Sequence, residues 1–202
     1  MKSSLHAICL AVALGLGLTG LAQSAPATDA ELPQSPAEVL KAIAETGKPS
    51  AEHQKLQPLI GDWNLTLKMW TDPSQPPAEL NGTVQRKWIM GGRFVQETVK
   101  GEFDGKPFEG MSLWGYNGAQ KKFTTVRACS LCGTLSTGFS DFDAAGAKFE
   151  CATEGVCPLT GETVKGRDEV VIESDDKIVI NVFKTIDGKE VKAMEIVSTR
   201  KK

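Results

Sequence analysis

Ten short runs of alternating apolar and polar residues follow one another between Gly61 and Arg200, with no helical stretch between them. Their connectors carry hairpin chemistry: Gly91-Gly92, Asp104-Gly105, Asn117-Gly118, Asp175-Asp176 and Asp187-Gly188. The runs fall at 62–70, 82–90, 93–103, 106–116, 121–129, 132–142, 147–157, 162–173, 177–186 and 189–200. A twisted sheet of that many strands has edges to hide, and closing on itself removes them. The reading is therefore all-β: a single up-and-down antiparallel barrel of about ten strands, preceded by one or two short N-terminal helices.

The N-terminus reads as an export signal over residues 1–24. Lys2 supplies the positive charge, Ile8 to Leu21 the short apolar stretch, and Ala22-Gln23-Ser24 the small residues for cleavage. About fourteen apolar residues are too few to span a bilayer, so no integral membrane segment is expected once the signal is removed. The location implied is the bacterial periplasm or the medium. Residues 25–34 read as a disordered leader and 35–60 as a helical segment, with the barrel at 61–202. Ser35-Pro36-Ala37-Glu38 is a helix start, and Val39, Leu40, Ile43 and Ala44 share one face up to Gly47. A second helical stretch spans Ser50 to Leu59.

The mature chain carries 22 basic and 25 acidic side chains, with no electrostatic footprint for nucleic acid. Its single histidine, His53, precedes the barrel and reads as an exposed helix residue. Triads and histidine metal clusters are thereby excluded from the barrel, and no cofactor or metal is expected.

Residues facing each other across a hairpin lie on one side of the sheet, so the turns propagate a register. Trp88 pairs with Val95, Arg86 with Glu97, Val95 with Trp114 and Glu97 with Ser112. Phe123, Thr125, Arg127, Phe149, Cys151, Asp168, Val170, Ile180, Val182, Glu195 and Val197 then fall on that same side. Trp63, Leu65, Leu67 and Met69 join them, while Met111, Leu113, Met194 and Ile196 fall on the other. Sorted by height, the tryptophans form an aromatic floor with charged groups above it. The candidate ligand-contacting residues are Arg86, Trp88, Glu97, Ser112, Trp114, Arg127, Asp168 and Glu195. Arg127 offers a planar fork of donors, and Asp168 with Glu195 leaves room for acid–base chemistry without demanding it.

Gly61-Asp62-Trp63 opening the first strand resembles the calycin superfamily of lipocalin and fatty-acid-binding barrels. That resemblance implies a basic residue from the last strand packing across the tryptophan to close the barrel bottom, and Arg200 stands in place for it. The chain is also similar, from about His53 to Lys202, to a bacterial family catalogued as domain of unknown function number 1579. The segments Lys68 to Pro73, Trp88 to Phe94, Pro107-Phe108-Glu109-Gly110, Gly115-Tyr116, Met194-Glu195-Ile196 and Thr199 to Lys202 carry it. This resemblance implies a calycin-like barrel and no established activity. The cysteines depart from the expected pattern.

Four cysteines remain after signal removal: Cys129, Cys132, Cys151 and Cys157. In an exported chain an even number reads first as disulfides. A turn at 143–146 sets Cys132 opposite Cys157, the favoured bridge, at the rim remote from Trp63. Cys129–Cys151 would need a bulge. A redox pair at Cys129-Ser130-Leu131-Cys132 is a lesser reading, because a β-turn lacks the helix dipole that stabilises a thiolate. A four-cysteine metal site is equally minor, since Cys151 and Cys157 are too far apart in sequence for a tight knuckle. The leading functional reading is a barrel that binds a small apolar or amphipathic molecule. The alternatives are a solid-core envelope interaction protein and, behind both, an enzyme on the same barrel (isomerase, hydrolase or thiol–disulfide).

Overall fold

Ten antiparallel strands close in sequence order, β1 pairing with both β2 and β10. They are β1 (Gly61–Met69), β2 (Ala78–Ile89), β3 (Phe94–Phe103), β4 (Lys106–Asn117), β5 (Lys122–Cys129), β6 (Cys132–Phe142), β7 (Lys148–Val156), β8 (Thr163–Ser174), β9 (Lys177–Ile186) and β10 (Lys189–Arg200). The computed structural model of the chain describes residues 35–72, 74–142, 147–186 and 188–202. The segments read from the sequence as an export signal (1–24) and leader (25–34) lie outside those residues. Ahead of the barrel come α1 (Pro36–Thr46), α2 (Ala51–Gln54) and a 3-10 turn at Gln57–Leu59.

The helix start at Ser35 is a reciprocal cap: Glu38 N–H donates to Ser35 Oγ, and Ser35 N–H donates to Glu38 Oε2. No residue of α1 is buried, and Leu40 and Ile43 on its apolar face are exposed. His53 is a correction to the sequence reading. It is buried, its Nδ1 accepts the Ser50 N–H, and its ring sits edge-on to Tyr116 at 5.7 Å. Burial, followed by the nearby Arg93 charge, holds its pKa below the usual histidine value.

Leu56 and Leu59 plug the end of the barrel where β1 begins, joining Trp63 in one apolar cluster. Trp63 Nε1 donates to the Leu59 carbonyl and Trp88 Nε1 to Gln57 Oε1, so two indoles anchor the plug. Arg200, paired with Trp63 across β1 and β10, lays its guanidinium 4.1 Å from the indole centroid. It also donates to the Ile60, Pro58 and Asp175 carbonyls. Gly61 makes room for this arrangement. Its φ is +133°, and a Cβ there would sit 2.5 Å from Arg200 Nη1. Above the plug Tyr116, Phe123, Phe142, Phe149 and Trp114 form a chain of ring contacts, centroids 4.3 to 5.8 Å apart. That half of the barrel is filled with side chains.

Register decides which residues reach the interior, and it holds as read from β2 to β4. Trp88 faces Val95, Arg86 faces Glu97, Val95 faces Trp114 and Glu97 faces Ser112. At three later hairpins the pairing slides by two residues, which preserves the face; in β5–β6 Cys129 pairs with Cys132 but Arg127 with Ser136. Ser112 lies opposite Arg127 across β4 and β5, and Phe142 lies opposite Phe149 across β6 and β7. Two ladders shift by a single residue: β8–β9 between Ile172 and Ser174, beside its turn, and β9–β10 farther from its own. Between Lys192 and Met194 the β9–β10 ladder carries a bulge, after which Val182 faces Met194 and Ile180 faces Ile196. A one-residue shift turns every following side chain over. Glu195 and Val197 therefore face outward, while Met194, Ile196 and the fully buried Ser198 face inward, the reverse of the sequence reading.

Candidate functional site

The other half of the barrel is hollow. A cavity of about 500 Å³ occupies it, walled by Leu65, Leu67, Val84, Val99, Ile180, Val182, Met194 and Ile196. It reaches the rim, where Leu135 and Val156 are exposed to solvent. Its inner end is a layer of charge directly above the aromatic floor.

Cross-strand pairing assembles most of that layer. Arg86, Glu97, Ser112 and Arg127 stand in successive register positions on β2, β3, β4 and β5. Arg86 Nε donates to Glu97 Oε2 at 2.6 Å, and Ser112 Oγ donates to Glu97 Oε1 at 2.9 Å. Arg127 reaches across the interior to Asp168 on β8, donating from Nη1 to Oδ2. Each guanidinium also lies over an indole, Arg86 over Trp63 at 5.7 Å and Arg127 over Trp114 at 5.1 Å.

Two cations and two carboxylates leave the layer electrically balanced. Burial alone would raise the Glu97 pKa. The charges of Arg86 and Arg127, with hydrogen bonds from Arg86 and Ser112, outweigh it and hold the carboxyl below its ordinary value. Burial likewise works against the Arg127 charge, and Asp168 followed by Glu97 more than offsets it, so that pKa is raised. Polar capacity remains unspent: Arg86 Nη1, Arg127 Nη2, Asp168 Oδ1, Trp114 Nε1 and Thr153 Oγ1 are buried without a protein partner. All five belong to residues that line the cavity.

Six of the eight residues proposed from the sequence for ligand contact line this space: Arg86, Glu97, Ser112, Trp114, Arg127 and Asp168. Trp88 lies at the plugged end, bonded to Gln57. Glu195 sits on the outer surface, where Lys192 Nζ donates to its Oε2 at 2.5 Å. Met194 and Ile196 took the inward places, and their apolar alternation across Glu195 was the available signal.

The cysteine geometry also departs from expectation. Cys129 and Cys132 are direct partners across the β5–β6 hairpin, with Sγ atoms 3.5 Å apart. The β6–β7 ladder pairs Ser136 with Gly155, so continuing it sets Cys157 opposite Thr134 rather than Cys132. All four cysteines are free thiols in the structure. Cys129, Cys132 and Cys157 line the cavity at its rim. Cys151 is buried beside the charge layer, and burial pushes its thiol up to about 11. Among the described residues no group of histidine, cysteine and carboxylate side chains is placed to hold a metal ion, and no helix is long and apolar enough to cross a membrane.

Solved structures share the barrel. The crystal structure of Rv2717c from M. tuberculosis matches at a TM-score of 0.56 and 16% identity, covering 77% of this chain and all of that one. The S-type phycobiliprotein lyase CPES from Guillardia theta matches at 0.52 and 11% identity, covering 79% of this chain and 97% of that one. These likenesses show the fold alone. No curated protein matches the sequence. A family model described as Protein of unknown function (DUF1579) matches residues 48–200, a span that includes the plug, both closing residues and every side chain of the cavity. The chain belongs to that family.

Proposed function

We propose that this protein is an exported carrier or sensor that holds one small amphipathic molecule in the open half of its barrel. The cavity is the observation that carries the reading: about 500 Å³ of space with apolar walls and a polar inner end. That volume falls within the range of small-molecule sites, which combine apolar lining with a few placed polar groups. A barrel serving only as a solid scaffold would have its side chains meet in the middle at both ends, as they do here only at the plugged end. The apolar part of the ligand lies along Leu67, Val99, Met194 and Ile196. Its polar part meets Arg127, the member of the charge layer most open to the cavity with a quarter of its side chain exposed.

Export rests on the Lys2 and Ile8–Leu21 pattern, and N-terminal sequencing of protein from a periplasmic fraction tests it. Ligand binding is tested by titration with N-phenyl-1-naphthylamine, a neutral apolar probe whose emission rises on leaving water. One probe per chain is expected, with binding lost in Leu67→Trp or Met194→Trp, each of which fills the cavity. Undiminished binding to folded cavity-filled variants would place the probe elsewhere and end the proposal.

A further inference from the structure

We propose that Cys129 and Cys132 form a dithiol site at the barrel mouth that exchanges with low-molecular-weight disulfides. Three geometric facts support it. The two residues are register partners across the two-residue turn Ser130-Leu131, so their Cα atoms lie within the span that a disulfide bridges. Their Sγ atoms are already 3.5 Å apart. Both line the cavity at its mouth and are partly exposed, so a small molecule has access to them.

The two thiols are chemically unequal, as an attacking and a resolving cysteine must be. Thr134 Oγ1 donates to Cys132 Sγ at 3.4 Å, and that hydroxyl holds the Cys132 pKa below the ordinary thiol value. Burial pushes the Cys129 thiol the other way. A hydroxyl two residues along the same strand thus supplies the hydrogen-bond donor that a helix N-terminus supplies elsewhere. Cys132 is the nucleophile. Its thiolate attacks one sulfur of a disulfide RSSR, forming a Cys132–SR mixed disulfide and releasing RS⁻. Cys129 then attacks Cys132 Sγ, closing the Cys129–Cys132 bond and releasing a second RS⁻. The two protons lost by the protein thiols end on the two released thiolates, so one disulfide is reduced to two RSH and the protein dithiol is oxidised.

Cys157 lines the same mouth, with its thiol held low by the Thr160 hydroxyl, and is the competing partner. The test separates them. Reduced, desalted protein is mixed with excess oxidised glutathione, quenched in acid and digested with trypsin. Cleavage after Arg127, Lys148 and Lys165 puts Cys129 with Cys132 in peptide 128–148, and Cys151 with Cys157 in peptide 149–165. The expected product is an intact bridge within 128–148. Cys129→Ser should accumulate a glutathione adduct on Cys132, and Cys132→Ser should capture glutathione at residue 129 at least tenfold more slowly. Cys157→Ser should leave the bridge and its rate unchanged. A cross-link between the two peptides in the wild-type protein, or equal capture by Cys129→Ser and Cys132→Ser, overturns the proposal.

Discussion

Replacing Glu97 with alanine asks whether the charge layer is held together by pairing or merely tolerated. Glu97 is 7% exposed and Arg86 is 3% exposed, and the carboxylate accepts from both Arg86 and Ser112. Removing it strands the Arg86 guanidinium in the barrel with Gly61, Trp63 and the plug below it. Breaking a buried pair from one side costs about 3–5 kcal/mol, because the remaining charge keeps its desolvation penalty without its partner. For a chain of this size a loss of about 4 kcal/mol lowers the melting temperature by about 10 °C and moves a urea midpoint by about 2 M at a slope of roughly 2 kcal/mol/M. The companion variant is Arg86→Met/Glu97→Leu/Ser112→Ala, which removes both charges and the hydroxyl that bonded them. Apolar replacements of similar volume relieve the penalty altogether, so the triple variant is expected within about 1 kcal/mol of the parent. Urea denaturation followed by tryptophan fluorescence reads both. A single variant that costs less than about 1 kcal/mol, or a triple variant as unstable as the single one, would refute the account of Glu97 as the counter-charge of a desolvated arginine.

Three further outcomes follow from the same geometry. Since Glu97 has a folded pKa below that of the unfolded chain, its contribution is complete above the unfolded value of about 4.3 and drains away as pH falls through the folded one. Glu97→Gln should flatten that acid limb in a pH series of urea midpoints. Arg200→Ala removes three hydrogen bonds to carbonyls and the stacking on Trp63, and should cost about 3 kcal/mol; Gly61→Ala should approach it, because its Cβ collides with the same guanidinium. Glu195→Gln should change stability by less than about 0.5 kcal/mol, as befits a half-exposed pair with Lys192, and should leave probe affinity unaltered. A tenfold loss of affinity would put Glu195 in the cavity and contradict the bulge.

Much of the barrel was legible because hairpin turns are local and side-chain alternation has a period of two. Gly91-Gly92 and Asp104-Gly105 pin Arg86, Glu97 and Ser112 to one row without knowledge of the rest of the molecule. The two-residue slides after β4, β5 and β6 changed partners but not faces, so Arg127 and Asp168 stayed inside. They did change the cysteine geometry. Thiol pairing depends on which residue is opposite, not on which face it shares, and the favoured Cys132–Cys157 pair was lost to that slide. The Arg127–Asp168 pair was not legible as a pair. It spans the interior from β5 to β8, and no turn rule reaches across a barrel.

The one face reversal was in principle deducible, and the deduction says what the bulge is for. Counting from the Ile186–Lys189 pair that starts the β9–β10 ladder, odd-numbered residues of β10 face inward. Counting back from Arg200, which must cross Trp63 to close the floor, even-numbered residues face inward. Both ends cannot be satisfied by a regular strand. One extra residue between Lys192 and Met194 reconciles them, and Ala193 occupies that position, its carbonyl accepting the Trp70 N–H where β1 ends. The consequence reaches the cavity. Without the bulge, Glu195 would add a third carboxylate to a layer in which two arginines already match two acids, and Met194 and Ile196 would be turned out to solvent. With it, the wall beside β1 is apolar and the charge layer stays balanced. The irregularity that lets the last strand close the floor also gives the cavity its greasy side.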